Sequence, residues 1–317
     1  VSAPDAAAVA AMARMDADVE ALCRRSRAGL LGRRPWVALD FDGTCIRGDV
    51  GAQLHFWLCA RAAYRLDGPF WTVLEPEDGA ARLQASWQGR AGWPDPAAGA
   101  EDPALTDLIA VWARRFARVG PARTFGWAAA MHVGMWPDQV AEEASAMLAW
   151  EKAQPLWRGC RSAPDGTPTW VLHGIRSRPA VQGWVRTLAD AGIEARVVSA
   201  TNRWAVARAA SEELGVPPDR VLGNVCAIDV DGRIGDQVLA PVVWHGGKVQ
   251  AIRAAGWDPP VMAMGDTVSD EPMLAMATHL AVLLDHGGDA ALASRARAAG
   301  WVVLPRGVPS DGGSSQA

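Results

Sequence analysis

The apolar run Trp36-Val37-Ala38-Leu39 stops abruptly at Asp40-Phe41-Asp42-Gly43-Thr44. Such a run suits a strand buried on both faces, as in a parallel sheet. Two carboxylates stand one residue apart where it ends, and Gly43 lets the backbone turn away. The pattern recurs far downstream, where Val261-Met262-Ala263-Met264 runs into Gly265-Asp266-Thr267-Val268-Ser269-Asp270. Between the two lie Val197-Val198-Ser199 and Lys248, which shares the whole chain with only one other lysine, Lys152.

With 317 residues, half of them apolar, the chain can bury a full core as one large domain or two. The net charge of −4 gives no footprint for a nucleic-acid partner. Cys23, Cys45, Cys59, Cys160 and Cys226 share no metal-like spacing and read as reduced thiols of a cytoplasmic protein. The six histidines form no zinc pattern, and there is no P-loop and no Gly-x-Ser-x-Gly. No apolar run approaches the roughly 18 residues that a membrane span needs. The chain opens on Val rather than Met, which leaves export open.

Residues 1–34 read as an amphipathic helical segment. Residues 49–176 are rich in Ala, Trp and Arg, with helical periodicity at 53–64, 107–118 and 138–152 and a strand signal only at 169–173. Arg114 and Arg115 are expected on a solvated helix face. From residue 177 to 305, strand and helix signals alternate, as in a parallel sheet covered on both faces. Within this stretch, residues 221–230 and 234–243 flank Asp231-Gly232 and predict a hairpin. Residues 306–317 are polar and Gly/Ser-rich and read as a disordered tail. The expected architecture is α/β, a doubly wound parallel sheet formed by residues 35–48 and 177–305, with a mostly helical insert. Ligands bind such sheets at the carboxyl ends of the strands. There, Asp40, Asp42, Ser199, Lys248 and Asp266 can assemble a magnesium-dependent phosphoryl-transfer site.

Asp40-Phe41-Asp42-Gly43-Thr44, Ser199, Lys248 and Gly265-Asp266-x-x-x-Asp270 resemble the four motifs of the haloacid dehalogenase superfamily of phosphatases. The branch with phosphoserine and phosphorylcholine phosphatases is closest in style, and the insert resembles its C1-type cap on a Rossmann-like core. The resemblance implies that Asp40 attacks phosphorus and forms an aspartyl-phosphate, which divides a hard hydrolysis into two steps. Asp42 then serves as acid and base. Ser199 donates to a phosphoryl oxygen, and Lys248 neutralises charge. Asp40 and Asp266 are the expected side-chain ligands of Mg2+, with the Asp42 backbone carbonyl, while Asp270 supports the ion through bound water. Thr44, Ala200, Ser269 and Asp49 are placed around the substrate.

The expected partner is a small phosphate ester. Asp49, nine residues after Asp40, either faces a cationic amine of the leaving group, as in phosphoserine, phosphocholine or phosphoethanolamine, or caps the following helix. Phe56, Trp57, Phe70 and Trp71 either line a pocket for a quaternary ammonium or pack between helices. Ser269, Ala200 and Thr201 depart from the residues typical of phosphoserine phosphatase. Transfer of the phosphoryl group to an acceptor alcohol, or silent binding of a phosphometabolite, remain alternatives to hydrolysis.

Overall fold

The computed structural model describes residues 6–99 and 101–305, so the tail of residues 306–317 lies outside the described residues. Helix α1 (Ala6–Arg27) buries Met15, Val19, Leu22 and Cys23, a spacing that puts one apolar stripe on a helix. Strand β1 (Trp36–Leu39) is buried throughout and is followed by the short β2 (Ile46–Arg47). Helices α2 (Val50–Ala60), α3 (Ala80–Trp87), α4 (Pro103–Val119), α5 (Pro121–Ala130) and α6 (Pro137–Ala153) come next. The hairpin of β3 (Trp157–Ser162) and β4 (Pro168–His173) then leads to β5 (Arg176–Ser177). The remainder alternates: α7 (Pro179–Asp190), β6 (Glu194–Asn202), α8 (Arg203–Leu214), β7 (Val221–Asn224), β8 (Cys226–Ile228), β9 (Ile234–Val238) and α9 (Gly246–Ala254). It closes with β10 (Met262–Gly265), α10 (Glu271–Leu274), β11 (Leu280–Asp285), α11 (Ala290–Ala298) and β12 (Val302–Pro305).

Six strands form one sheet in the order β12-β11-β10-β1-β6-β7, with every pairing parallel. The chain enters at β1, builds β6 and β7 on one side, then crosses over to build β10, β11 and β12 on the other. The direction of winding therefore reverses at β1, and a doubly wound sheet opens a crevice at that point. Leu39 pairs with Val197 on one side and Met264 on the other, so Asp40 leaves β1 between β6 and β10, both of which run on past this level.

The helical stretch leaves and rejoins the sheet region through a ribbon in which Ile46 opposes Ser177 and Arg47 opposes Arg176. It is docked on the rest of the molecule. Gly134 N donates to Ile234 O at 2.8 Å, Ile234 N to Met135 O at 2.9 Å, and Lys152 pairs with Glu213.

Several sequence expectations are corrected. The run at 221–230 is not one arm of a hairpin. Its first part, β7, joins the main sheet, where Val221, Gly223 and Asn224 are buried, and only β8 pairs with β9. Asn224 fixes the break by donating to Ala200 O at 2.5 Å and accepting from Val243 N at 2.7 Å. Arg114 and Arg115 do not lie on a solvated face. Arg115 reaches buried Asp78 at 2.8 Å and Arg114 pairs with buried Asp107, so the helices are held by buried charge pairs as well as apolar contacts. Phe56, Trp57, Phe70 and Trp71 are buried in the apolar core, which is the packing alternative for these rings.

Candidate active site

β1 delivers Asp40 to the crevice: its backbone N donates to Met264 O at 2.9 Å, still within the strand ladder. β10 ends at Gly265 and delivers Asp266. A Cβ on Gly265 would fall 2.4 Å from Asp270 Cβ, so the glycine lets the following loop fold back and bring Asp270 alongside. Asp270 is locked there by its Oδ2, which accepts from Asp266 N at 3.1 Å and Thr267 N at 3.0 Å. Gly43 turns the other loop with φ +76°, a left-handed conformation that favours glycine. A Cβ there would lie 2.1 Å from Asp266 Oδ2, so this position has room for glycine alone.

Asp40, Asp266 and Asp270 offer oxygens that all lie within 4.8 Å of one another. Lys248, with no exposed surface, donates to Asp40 Oδ1 at 2.6 Å and Asp270 Oδ1 at 2.5 Å. Thr44 Oγ1 donates to Asp40 Oδ2 at 3.1 Å and stands 3.5 Å from Asp266 Oδ1. Burial and the neighbouring Asp270 push the Asp40 carboxyl well above its ordinary range, against the pull of Lys248. Burial also raises Asp266, where His286 opposes the rise and Asp270 adds to it. Burial works against the charge on Lys248, but Asp270 and Asp40 outweigh it and keep the ammonium protonated. Three carboxylates thus face a single ammonium, a set short of positive charge. Hard oxygen donors converging on such a point fit a small divalent cation.

Asp42 is held apart from this cluster. Its Oδ1 accepts from Val50 N at 2.7 Å, the first residue of α2, and its Oδ2 accepts from Thr201 Oγ1 at 2.7 Å. Burial and then the charge of Asp49 raise its carboxyl to about 7, while the two donors pull it down. Ser199 is buried, with Oγ 3.5 Å from Asp42 Oδ2. Ala200 lies between Ser199 and Thr201 in β6 and offers its carbonyl to Asn224. Asp49 is the N-cap of α2, with Oδ1 accepting from Ala52 N at 2.8 Å. Ser269 sits on the outer loop and pairs with Thr267 Oγ1 at 2.8 Å. The structure therefore gathers Asp40, Thr44, Lys248, Asp266 and Asp270 tightly, sets Asp42, Ser199 and Asp49 beside them, and turns the Ser269 side chain toward Thr267.

Three neighbours escaped the sequence reading. Thr201 follows Ser199 by two residues along β6 and reaches Asp42. Arg178 is buried and donates through Nη2 to Gly43 O at 3.0 Å. His286, directly after β11, brings Nε2 within 3.1 Å of Gly43 O and 3.2 Å of Asp266 Oδ2. Its place just past an apolar strand was the available signal. A cleft of about 800 Å3 in the helical stretch, lined by Tyr64, Arg65, Trp71, Trp87 and Arg90, contains none of these carboxylates. Its arginines are engaged by Asp67 and Asp102.

Comparison with solved structures supports the architecture. A conserved functionally unknown protein from Anaerococcus prevotii DSM 20548 is similar at TM-score 0.71 and 17% identity, covering 89% of this chain and 88% of that one. A protein with unknown function from Bordetella pertussis Tohama I is similar at TM-score 0.53 and 17% identity, over 86% and 99% of the two chains. At these identities the likeness concerns the fold alone. A phosphoserine phosphatase in a phospho-aspartyl intermediate analogue form shows a weaker likeness, at TM-score 0.39 and 12% identity over 80% and 87% of the two chains, and no conclusion rests on it. No curated protein matches the chain.

Residues 104–275 of the 317 match the haloacid dehalogenase-like hydrolases, a span of more than half of the chain. The matched span holds Ser199, Lys248, Asp266 and Asp270, and the β1–β10 pairing brings Asp40 and Asp42 to them from outside it. By that match, the chain belongs to the family of haloacid dehalogenase-like hydrolases.

Proposed function

We propose that the protein is a phosphomonoester hydrolase acting on a small metabolite through an aspartyl-phosphate on Asp40. The observation that carries this reading is the meeting of Asp40, Asp266 and Asp270 around Lys248, with Asp42 pinned separately beside them. The Asp40 carboxylate attacks phosphorus as the bond to the leaving oxygen breaks, and Asp42 delivers its proton to that oxygen. Asp42, now ionised, takes a proton from water as the water oxygen attacks phosphorus. The bond to Asp40 then breaks and inorganic phosphate leaves. A carboxyl group near 7 suits both halves, because it is found in either protonation state at neutral pH. Lys248 supplies a fixed positive charge in a buried setting, where it acts most strongly on the phosphoryl oxygens.

Asp40 and Asp266 would hold Mg2+, with the Asp42 carbonyl as a further ligand and Asp270 supporting from behind. Bound there, the ion would keep Asp40 ionised and would neutralise charge on the phosphoryl group. Residues 49–176 act as a C1-type cap that closes over the leaving group and excludes water. Asp49 faces the leaving group through the oxygen not used in capping α2, which favours esters with a cationic nitrogen. The free thiols of Cys23, Cys45, Cys59, Cys160 and Cys226 suit a reducing compartment, and among the described residues no helix is long and apolar enough to cross a membrane.

Phosphate release from a panel of small phosphomonoesters, with Mg2+ and then with EDTA, tests the reading. Metal-dependent release that disappears in Asp40→Asn supports it. Full activity after exhaustive chelation overturns the metal role, and phosphate appearing on an added alcohol instead of water identifies a phosphotransferase.

A further inference from the structure

We infer that His286 is a positioning residue that holds the Asp266 carboxylate and the Asp40–Asp42 loop in register, and thereby sets the affinity of the site for a divalent cation. This rests on the reading of Asp266 as a metal ligand. His286 Nε2 lies 3.1 Å from Gly43 O and 3.2 Å from Asp266 Oδ2. A carbonyl can only accept, so Nε2 carries the hydrogen and directs it at Gly43 O, while the Asp266 carboxylate lies beside the same ring nitrogen at charge-contact distance. The Gly43 carbonyl also accepts from Arg178 Nη2 at 3.0 Å, so donors from the end of β11 and the start of α7 grip one peptide group. That peptide belongs to the residue whose missing Cβ leaves space for Asp266 Oδ2. Gly43, Asp266 and His286 are therefore in mutual contact, and displacing one displaces the others.

The Asp266 carboxylate needs such restraint. It faces Asp40 and Asp270, both of which repel it, and Thr44 Oγ1 donates to it only at 3.5 Å, a long contact. A partner behind a ligating carboxylate fixes its orientation, and losing such a partner typically lowers metal affinity about 10–100-fold. β11 neighbours β10 in the sheet, so its first residue beyond the strand is well placed to support the carboxylate beyond β10.

Calorimetric titration of Mg2+ into protein dialysed against EDTA tests the inference without recourse to turnover. Wild type, His286→Phe and His286→Gln are compared; the first variant keeps a ring without a donor, and the second replaces Nε2–H with an amide N–H. About 35% of the His286 side chain is exposed, so neither change removes a core residue. The expected result is a Kd raised about 10–100-fold in His286→Phe and restored to within a few-fold in His286→Gln. Equal affinity in wild type and His286→Phe overturns the positioning role and leaves the metal reading intact. Recovery absent from His286→Gln overturns the donor mechanism. If wild type itself takes up no Mg2+, the reading of Asp266 as a ligand falls, and the inference with it.

Discussion

Lys248 Nζ, in the first turn of α9, donates to Asp40 Oδ1 across 2.6 Å although 208 residues separate the two in the chain. The same ammonium reaches Asp270, so one fully buried cation joins the ends of β1 and β10. Near a helix N-terminus a lysine is disfavoured by the helix dipole, and its place there is explained by the carboxylates it faces.

Lys248→Met should therefore abolish turnover and also lower the melting temperature of the metal-free protein. Removing one partner of a buried ion pair typically costs about 3–5 kcal/mol. Mg2+ should recover part of the lost stability, since it supplies positive charge to the same carboxylates. Thermal melts of wild type and variant with Mg2+ or EDTA check this. A variant melting like wild type in EDTA would show that the cation does not hold the carboxylates together.

Thr201 and Val50 are the donors that fix Asp42, so they should matter most when the leaving group needs a proton. Asp42→Asn should slow hydrolysis of alkyl phosphates far more than that of p-nitrophenyl phosphate, whose leaving group departs unprotonated. Thr201→Val removes one hydrogen bond to the carboxylate, a contact worth about 1.5–3 kcal/mol, and should show the same selectivity to a smaller degree. A plot of log kcat/KM against leaving-group pKa reads both variants. Parallel lines for wild type and Asp42→Asn contradict an acid role.

What the sequence made legible follows a physical pattern. β1 and β10 could be read because both are buried on two faces and end in carboxylates, and the order of their motifs pointed to the site. β3 was missed because its Trp157-Arg158-Gly159-Cys160-Arg161-Ser162 is mostly exposed and polar; it is a strand because it pairs with β4, and Arg158 stacks on Trp170 at 4.5 Å. α5 was hidden by Gly and Pro at its start, although proline fits the first helical turn. His286, Arg178 and Thr201 could not be assigned, because their roles consist of contacts with residues more than a hundred positions away.

Acid should loosen the helical stretch. His55 and His132 are buried on either side of Tyr64, and burial lowers both to about 4. His55 Nε2 lies against Ile109 O at 3.2 Å and therefore donates, leaving Nδ1 to accept from Tyr64 at 3.1 Å. An unfolded histidine titrates near 6.5, so between 6.5 and 4 the unfolded chain binds more protons. Stability is full above about 6.5 and falls as pH drops toward 4, by on the order of 3 kcal/mol per histidine. The raised carboxyls at the active site act in the opposite direction, so the informative quantity is the difference between wild type and His132→Gln. Urea unfolding from pH 7 to pH 4.5 should show wild type losing stability faster. Equal slopes would mean that His132 does not titrate with unfolding.

Asp49 carries the substrate question, and its geometry permits a clean separation of roles. Its Oδ1 caps α2 through Ala52 N, while its charge is felt by Asp42. Asparagine caps a helix about as well as aspartate, so Asp49→Asn keeps the structural role and removes the charge. If the carboxylate pairs with a cationic nitrogen on the leaving group, the variant should lose kcat/KM for phosphocholine, phosphoethanolamine or phosphoserine by roughly tenfold to a hundredfold, the worth of one charged hydrogen bond. p-Nitrophenyl phosphate has no such nitrogen and registers only the indirect effect on Asp42. That effect should be small, because its leaving group departs without a proton. Equal losses on the amine esters and on p-nitrophenyl phosphate would mean that Asp49 acts through Asp42 alone, and no loss on either would leave it the helix cap. A wild-type preference for sugar phosphates over every amine would exclude the cationic leaving group outright.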